Sequence, residues 1–139
     1  MKKLIMSVMF LMMFGVANCS FALTDKEVCD ANGIDLQQAK SFISDLRNAL
    51  KTDDKNKIAD MMEYPVRINK TNQSGKTITS YIKTKDDFIK QYAVTFTEKT
   101  KKELEKGDVF CHEGGASVGG FIWFKTSSDG DKIFSINPE

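Results

Sequence analysis

Apolar positions recur at spacings of three and four along Leu36, Ala39, Ile43, Leu46 and Leu50, with Phe42 and Ala49 widening the stripe. That spacing gathers them on one side of a helix of about four turns. Asp35, with Gln38 three residues on, supplies its start. Lys40, Asp45, Arg47 and Asn48 fall on the opposite side and read as a solvated face. Asp53-Asp54 can cap a second, shorter helix running through Met62. Pro65 then blocks it, because the residue before a proline avoids the helical region. Val66-Arg67-Ile68-Asn69 alternates as a strand does. Polar residues 71–76, with Gly75, form a turn, and the β-branched run Thr77 to Ile82 returns as a hairpin partner. Thr84 and Asp87 make a capping pair ahead of Phe88, Ile89, Tyr92, Ala93 and Phe96, a third helix. A polar helical turn from Glu98 to Lys106 follows, with Leu104 as its large apolar residue and Gly107 as its stop.

The last third reads as strands. Val109-Phe110-Cys111 is short, and Gly114-Gly115 is a turn or bulge. Ala116 to Lys125 reads as one long strand with apolar residues on both sides, hence central and covered on both faces; Gly119-Gly120 would then be a bulge. Asp129-Gly130 is a hairpin turn leading into Lys132 to Ile136. Helices followed by consecutive strands imply an α+β domain, with the N-terminal helices packed on a curved antiparallel sheet that forms a cone.

The chain has 139 residues and a formal net charge of +1. It begins with Lys2-Lys3 and an uncharged, mostly apolar run from Leu4 to Ala17, and Ser20-Phe21-Ala22 places small residues where signal peptidase requires them. Residues 1–22 are therefore expected to be a cleaved bacterial signal peptide, leaving one domain over 23–139. The apolar run is shorter than a membrane span needs, so the membrane enters only through this segment. A minority alternative is a lipoprotein: Val16-Ala17-Asn18-Cys19 loosely resembles a lipobox, although Asn18 stands where a small residue is required. Cleavage removes two lysines and no acid, so the mature domain is slightly acidic, and no basic excess exists to neutralise nucleic-acid phosphates. It also leaves Cys29 and Cys111 in an oxidising compartment, periplasmic or extracellular. One disulfide between them is favoured over two buried free thiols.

Candidate chemistry is sparse. His112, the single histidine, neighbours Glu113, but adjacent strand residues point to opposite faces, and Gly114-Gly115 suggests an exposed turn. No nucleophile elbow, glycine-rich phosphate loop or ligand-spaced metal motif is present, so neither metal nor cofactor is implied. Asp60, Glu63, Asp86 and Asp87 are the carboxylates nearest the expected cavity mouth, the last two explained by a helix's first turn. Tyr64, Arg67, Tyr92 and Trp123, with Tyr81 beside them, form the list of ligand-binding candidates, expected in one concave region between the first helix and the sheet. An arginine among aromatic residues binds a carboxylate or a partner peptide; plain packing is the competing reading.

Three stretches carry a resemblance: Tyr64-Pro65-Val66-Arg67, Phe88-Ile89-Lys90-Gln91-Tyr92, and Gly119 to Phe124 with Lys132 to Asn137. In these the chain resembles small secreted bacterial proteins of the nuclear-transport-factor-2-like (cystatin-like, SnoaL-like) superfamily. The resemblance implies the cone-shaped fold over nearly the whole mature chain. That superfamily contains enzymes, ligand carriers, assembly modules and toxin-immunity proteins, and often dimerises through its open sheet face, so fold does not select function. The expected function is a non-enzymatic periplasmic binding or interaction module whose partner is an envelope protein, a toxin or a small apolar ligand. The alternative is a small isomerase- or dehydratase-like enzyme with its active site in the cone.

Overall fold

A computed structural model describes residues 22–138; the expected signal peptide up to residue 21, Cys19 with it, lies outside the described residues. The elements run α1 (Asp25–Ala31), α2 (Leu36–Lys51), α3 (Lys55–Asp60), β1 (Met62–Thr71), β2 (Thr77–Ile82), α4 (Lys85–Thr95), α5 (Glu98–Lys106), β3 (Val109–His112), β4 (Gly115–Val118), β5 (Ile122–Lys125) and β6 (Lys132–Ile136). Among the described residues no helix is long and apolar enough to cross a membrane.

Local chemistry sets the helix ends. The Asp35 carboxylate accepts from the backbone N–H groups of Gln37 and Gln38 at the start of α2. At its end Asp53 takes a left-handed φ of 50°. The Asp54 N–H then reaches back to the Ala49 carbonyl and the Asp53 N–H to that of Leu50, satisfying carbonyls the helix leaves open. Thr84 and Thr97 cap α4 and α5. No periodic apolar stripe marks α1, yet Thr24 and Glu27 form a complete capping box there. Seven residues cannot hold a helix unaided. α1 is held by the Cys29–Cys111 disulfide, with a Cα separation of 5.0 Å, and by buried Ile34 just beyond it.

Arg47 departs from the solvated role expected of it. Its Nε donates to the Leu104 carbonyl at 2.7 Å, and its Nη2 donates to the Gly107 carbonyl. One guanidinium thus closes the C-terminus of α5 and ties α5 to α2.

The strands form one six-stranded sheet in the order β2-β1-β6-β5-β4-β3, with two free edges. It is mixed rather than wholly antiparallel, because β1 and β6 run parallel while every other neighbouring pair is antiparallel. The long strand expected over Ala116 to Lys125 is in fact two. Gly119 and Gly120 adopt φ of 56° and 76°, conformations that glycine enters freely, and the Phe121 N–H closes the turn on the Val118 carbonyl. The chain reverses there, so Ala116 pairs with Phe124 and Ser117 with Trp123. Two adjacent glycines flanked by β-formers encode a hairpin as readily as a bulge.

One face of the sheet is buried. Val66, Ile68, Val118, Ile122, Phe124, Ile133 and Ile136 pack with Ile43, Leu46, Ile58, Phe88, Phe96 and Leu104 from the helices. Among the described residues the buried polar side chains are Thr95, Thr100, Ser117 and Ser135, and no carboxylate or imidazole joins them.

Candidate interaction face

Strand alternation fixes what lies on the other face. Val66 and Ile68 point inward, so Arg67 and Asn69 point outward. The register then aligns Tyr81, Arg67, Ser135, Trp123, Ser117 and Phe110, one from each strand, in a single row across the sheet. No element among the described residues covers this row, and at its two ends Tyr81 and Phe110 are 58% and 50% exposed.

The middle of the row is held by side-chain hydrogen bonds. Arg67 Nε donates to Ser135 Oγ at 3.2 Å. Asn69 Nδ2 donates to Asn137 Oδ1 at 2.9 Å, and Asn137 Nδ2 to the Gly120 carbonyl at 2.7 Å. Thr79 Oγ1 donates to Asn69 Oδ1 at 2.9 Å. Trp123 Nε1 donates to the Gly120 carbonyl at 3.2 Å. Ser135 and Ser117 are buried although they face outward. Amides and hydroxyls so paired hold one another in position.

His112 is half-buried here rather than set on an exposed turn. Its Nε2 lies 2.8 Å from Ser117 Oγ, and its ring packs on Trp123 with centroids 4.9 Å apart. Ser117 is buried, at 3% exposure. A nucleophile needs room for its substrate, so the contact acts as a brace between β3 and β4.

A register shift between Trp123 and Phe124 leaves Phe134 as an extra residue in β6. Phe134 lines a shallow depression of about 310 Å³ on this same face, together with Glu63, Tyr64, Pro65, Arg67, Tyr81 and Lys125. Tyr64 Oη donates to the Ala59 carbonyl at 3.0 Å. Burial, and secondarily the Asp60 charge, push its phenol up to about 12. Glu63 and Lys125 neutralise each other at 2.9 Å.

Of the four candidates named from sequence, the fold brings Tyr64 and Arg67 into one depression and sets Trp123 two strands from Arg67 in the same row. Arg67 and Trp123 lie on the outer face, not between the first helix and the sheet, while Tyr64 borders the depression and packs against the buried core with its hydroxyl on the Ala59 carbonyl. Tyr92 lies apart from them. It is buried on the helix side between Phe88 and Phe96, with the ammonium groups of Lys55 and Lys101 over its ring. Its hydroxyl faces Asp53 without completing a hydrogen bond of normal geometry, and burial followed by the Asp53 charge raises the phenol to about 12.

A larger open cleft, about 920 Å³, lies at the end of β1 beside the C-terminal half of α4. Asn69, Asn137, Phe121 and Val94 are among its walls, so the amide network of the outer face also borders this cleft. Among the described residues no group of three or more His, Cys, Asp or Glu side chains is placed to hold a metal ion.

Phe110, Phe134 and Ser135 were not singled out from sequence. Alternation along β3 was the available signal for Phe110, an apolar residue between inward Val109 and Cys111. Phe134 gave none, since only the bulge turns it outward. Comparison with protein-family models, with curated proteins and with solved structures finds no match for this chain.

Proposed function

We propose that this protein is a non-enzymatic binding module of the bacterial envelope, exported by its N-terminal segment, that engages a partner protein through the open face of its sheet. The observation that carries the reading is the row Tyr81–Arg67–Ser135–Trp123–Ser117–Phe110: aromatic residues spread over a hydrogen-bonded support that leaves Tyr81 and Phe110 exposed among the described residues. Tyrosine, tryptophan and arginine are the residues that anchor protein interfaces, and a preorganised support lowers the entropy cost of binding. The helix side favours the same reading, because among the described residues large apolar side chains pack together there. The nuclear-transport-factor-2-like architecture and its cone belong to this proposal, as does the periplasmic or secreted setting, which the buried disulfide supports.

The test uses the mature protein in an envelope extract of the producing cells, analysed by size-exclusion chromatography. The native protein should elute in a complex, and the double variant Tyr81→Lys/Phe110→Lys should elute free with an unchanged Tm. Co-elution of the variant at the native position would refute the reading.

A further inference from the structure

We propose that the depression around Arg67 is an acidic-residue pocket: it takes a glutamate or aspartate side chain, flanked by apolar residues, from an extended segment of the partner protein. The inference rests on the reading of the open sheet face as the binding surface, and it names the chemistry recognised there.

The charge inventory of the depression carries it. Three charged side chains line it, Glu63, Arg67 and Lys125. Glu63 and Lys125 are paired at 2.9 Å, which leaves the guanidinium as the uncompensated charge. Arg67 spends its Nε on Ser135 Oγ, at 3.2 Å, and among the described residues it forms no ion pair. That bond orients the guanidinium while its two terminal nitrogens remain available, the fork that matches a carboxylate. The walls are Tyr64, Tyr81, Pro65 and Phe134, apolar surfaces on which neighbouring side chains of the same segment can rest. A second cation, Lys83, borders the adjoining patch over Pro65 and Tyr81 and extends the positive field.

The size of the depression selects the occupant. At about 310 Å³ and open to solvent, it is at the low end for small-molecule sites, which enclose most of their ligand. It suits one side chain of a larger partner whose remaining surface lies along the rest of the row.

The experiment titrates the mature protein with two capped tripeptides, one with a glutamate between two leucines and one with glutamine there. Backbone amide NMR shifts are followed. The glutamate peptide should move the signals of Arg67, Tyr81 and Phe134, and the glutamine peptide should bind about fivefold more weakly, the value of an exposed ion pair near 1 kcal/mol. Arg67→Gln should abolish that preference with an unchanged Tm, and Arg67→Lys should retain part of it. Equal binding of both peptides, an undiminished preference in Arg67→Gln, or no shift at these residues would each overturn the proposal. Loss of complex formation by the Tyr81→Lys/Phe110→Lys variant would still stand in those cases, so failure here is distinguishable from failure of the sheet-face reading.

Discussion

Reducing the Cys29–Cys111 disulfide removes a covalent tie between α1 and the sheet strand β3. The two cysteines are 82 residues apart, so the bridge closes most of the domain into one loop. The chain-entropy relation gives a loop of that length about 4.5 kcal/mol of stabilisation through the unfolded state, an upper figure. Net stabilities of small domains lie at about 5–15 kcal/mol, so the bridge is a large share of the total. For a domain of this size the Tm should fall by about 15–20 °C on reduction. Both sulfur-bearing residues are buried, at 1% and 8% exposure, so a reductant must wait for an opening. The assay is scanning calorimetry of oxidised protein, and of protein reduced in denaturant and refolded with reductant. Amide hydrogen exchange should show α1 losing protection first, because seven residues do not sustain a helix alone. A Tm change below about 5 °C, well under what the loop relation requires, would refute the reasoning. So would two free thiols in denatured, unreduced protein.

Other positions give further expectations. Arg47→Ala should destabilise by about 1–3 kcal/mol in urea titrations, since two helix-end carbonyls lose a charged donor; an unchanged midpoint would mean that water replaces the guanidinium without cost. Gly115→Ala should destabilise by about 1–3 kcal/mol, because a Cβ there would lie 2.5 Å from the Phe124 carbonyl oxygen across the β4–β5 ladder; wild-type stability would show that the ladder shifts freely. Tyr64 and Tyr92 have phenols raised to about 12 in the fold, so their neutral forms are favoured. Their contribution to stability is complete below the ordinary tyrosine value of about 10 and is lost as pH rises from there through 12. Ultraviolet titration should show their phenolate absorbance emerging near pH 12, and its full appearance by pH 10.5 would contradict the burial assigned to them.

Much of the fold was legible because its signals are local. The α2 stripe, the Asp35 and Thr84 caps, the β1–β2 hairpin and the Asp129-Gly130 turn each rest on neighbouring residues. The misses are non-local. The parallel β1–β6 pairing joins strands at opposite ends of the domain, and no periodicity encodes which edge a returning strand takes. Gly119-Gly120 is consistent with either a bulge or a hairpin until Ala116 finds Phe124 across the turn. Arg47 reads as solvated on a helical wheel because its acceptors, at the end of α5, are more than fifty positions away. The site divides in the same way. Tyr64, Arg67 and Trp123 were visible as residue types, but the meeting of Arg67 and Trp123 on the outer face depended on strand register. Tyr92 went to the core because α4 turns its Phe88 and Phe96 neighbours inward, and it goes with them.

The central claim is that the open sheet face meets the partner, and site-specific photo-cross-linking tests it most directly. A photoreactive amino acid is placed at Tyr81, Phe110 or Arg67 on that face, and at Lys40 or Lys102 on exposed helix positions, in the protein as produced by living cells. One discrete adduct, of the same mass, is expected from the three sheet positions and none from the two helix positions. An adduct from the helix positions with none from the sheet face would contradict it.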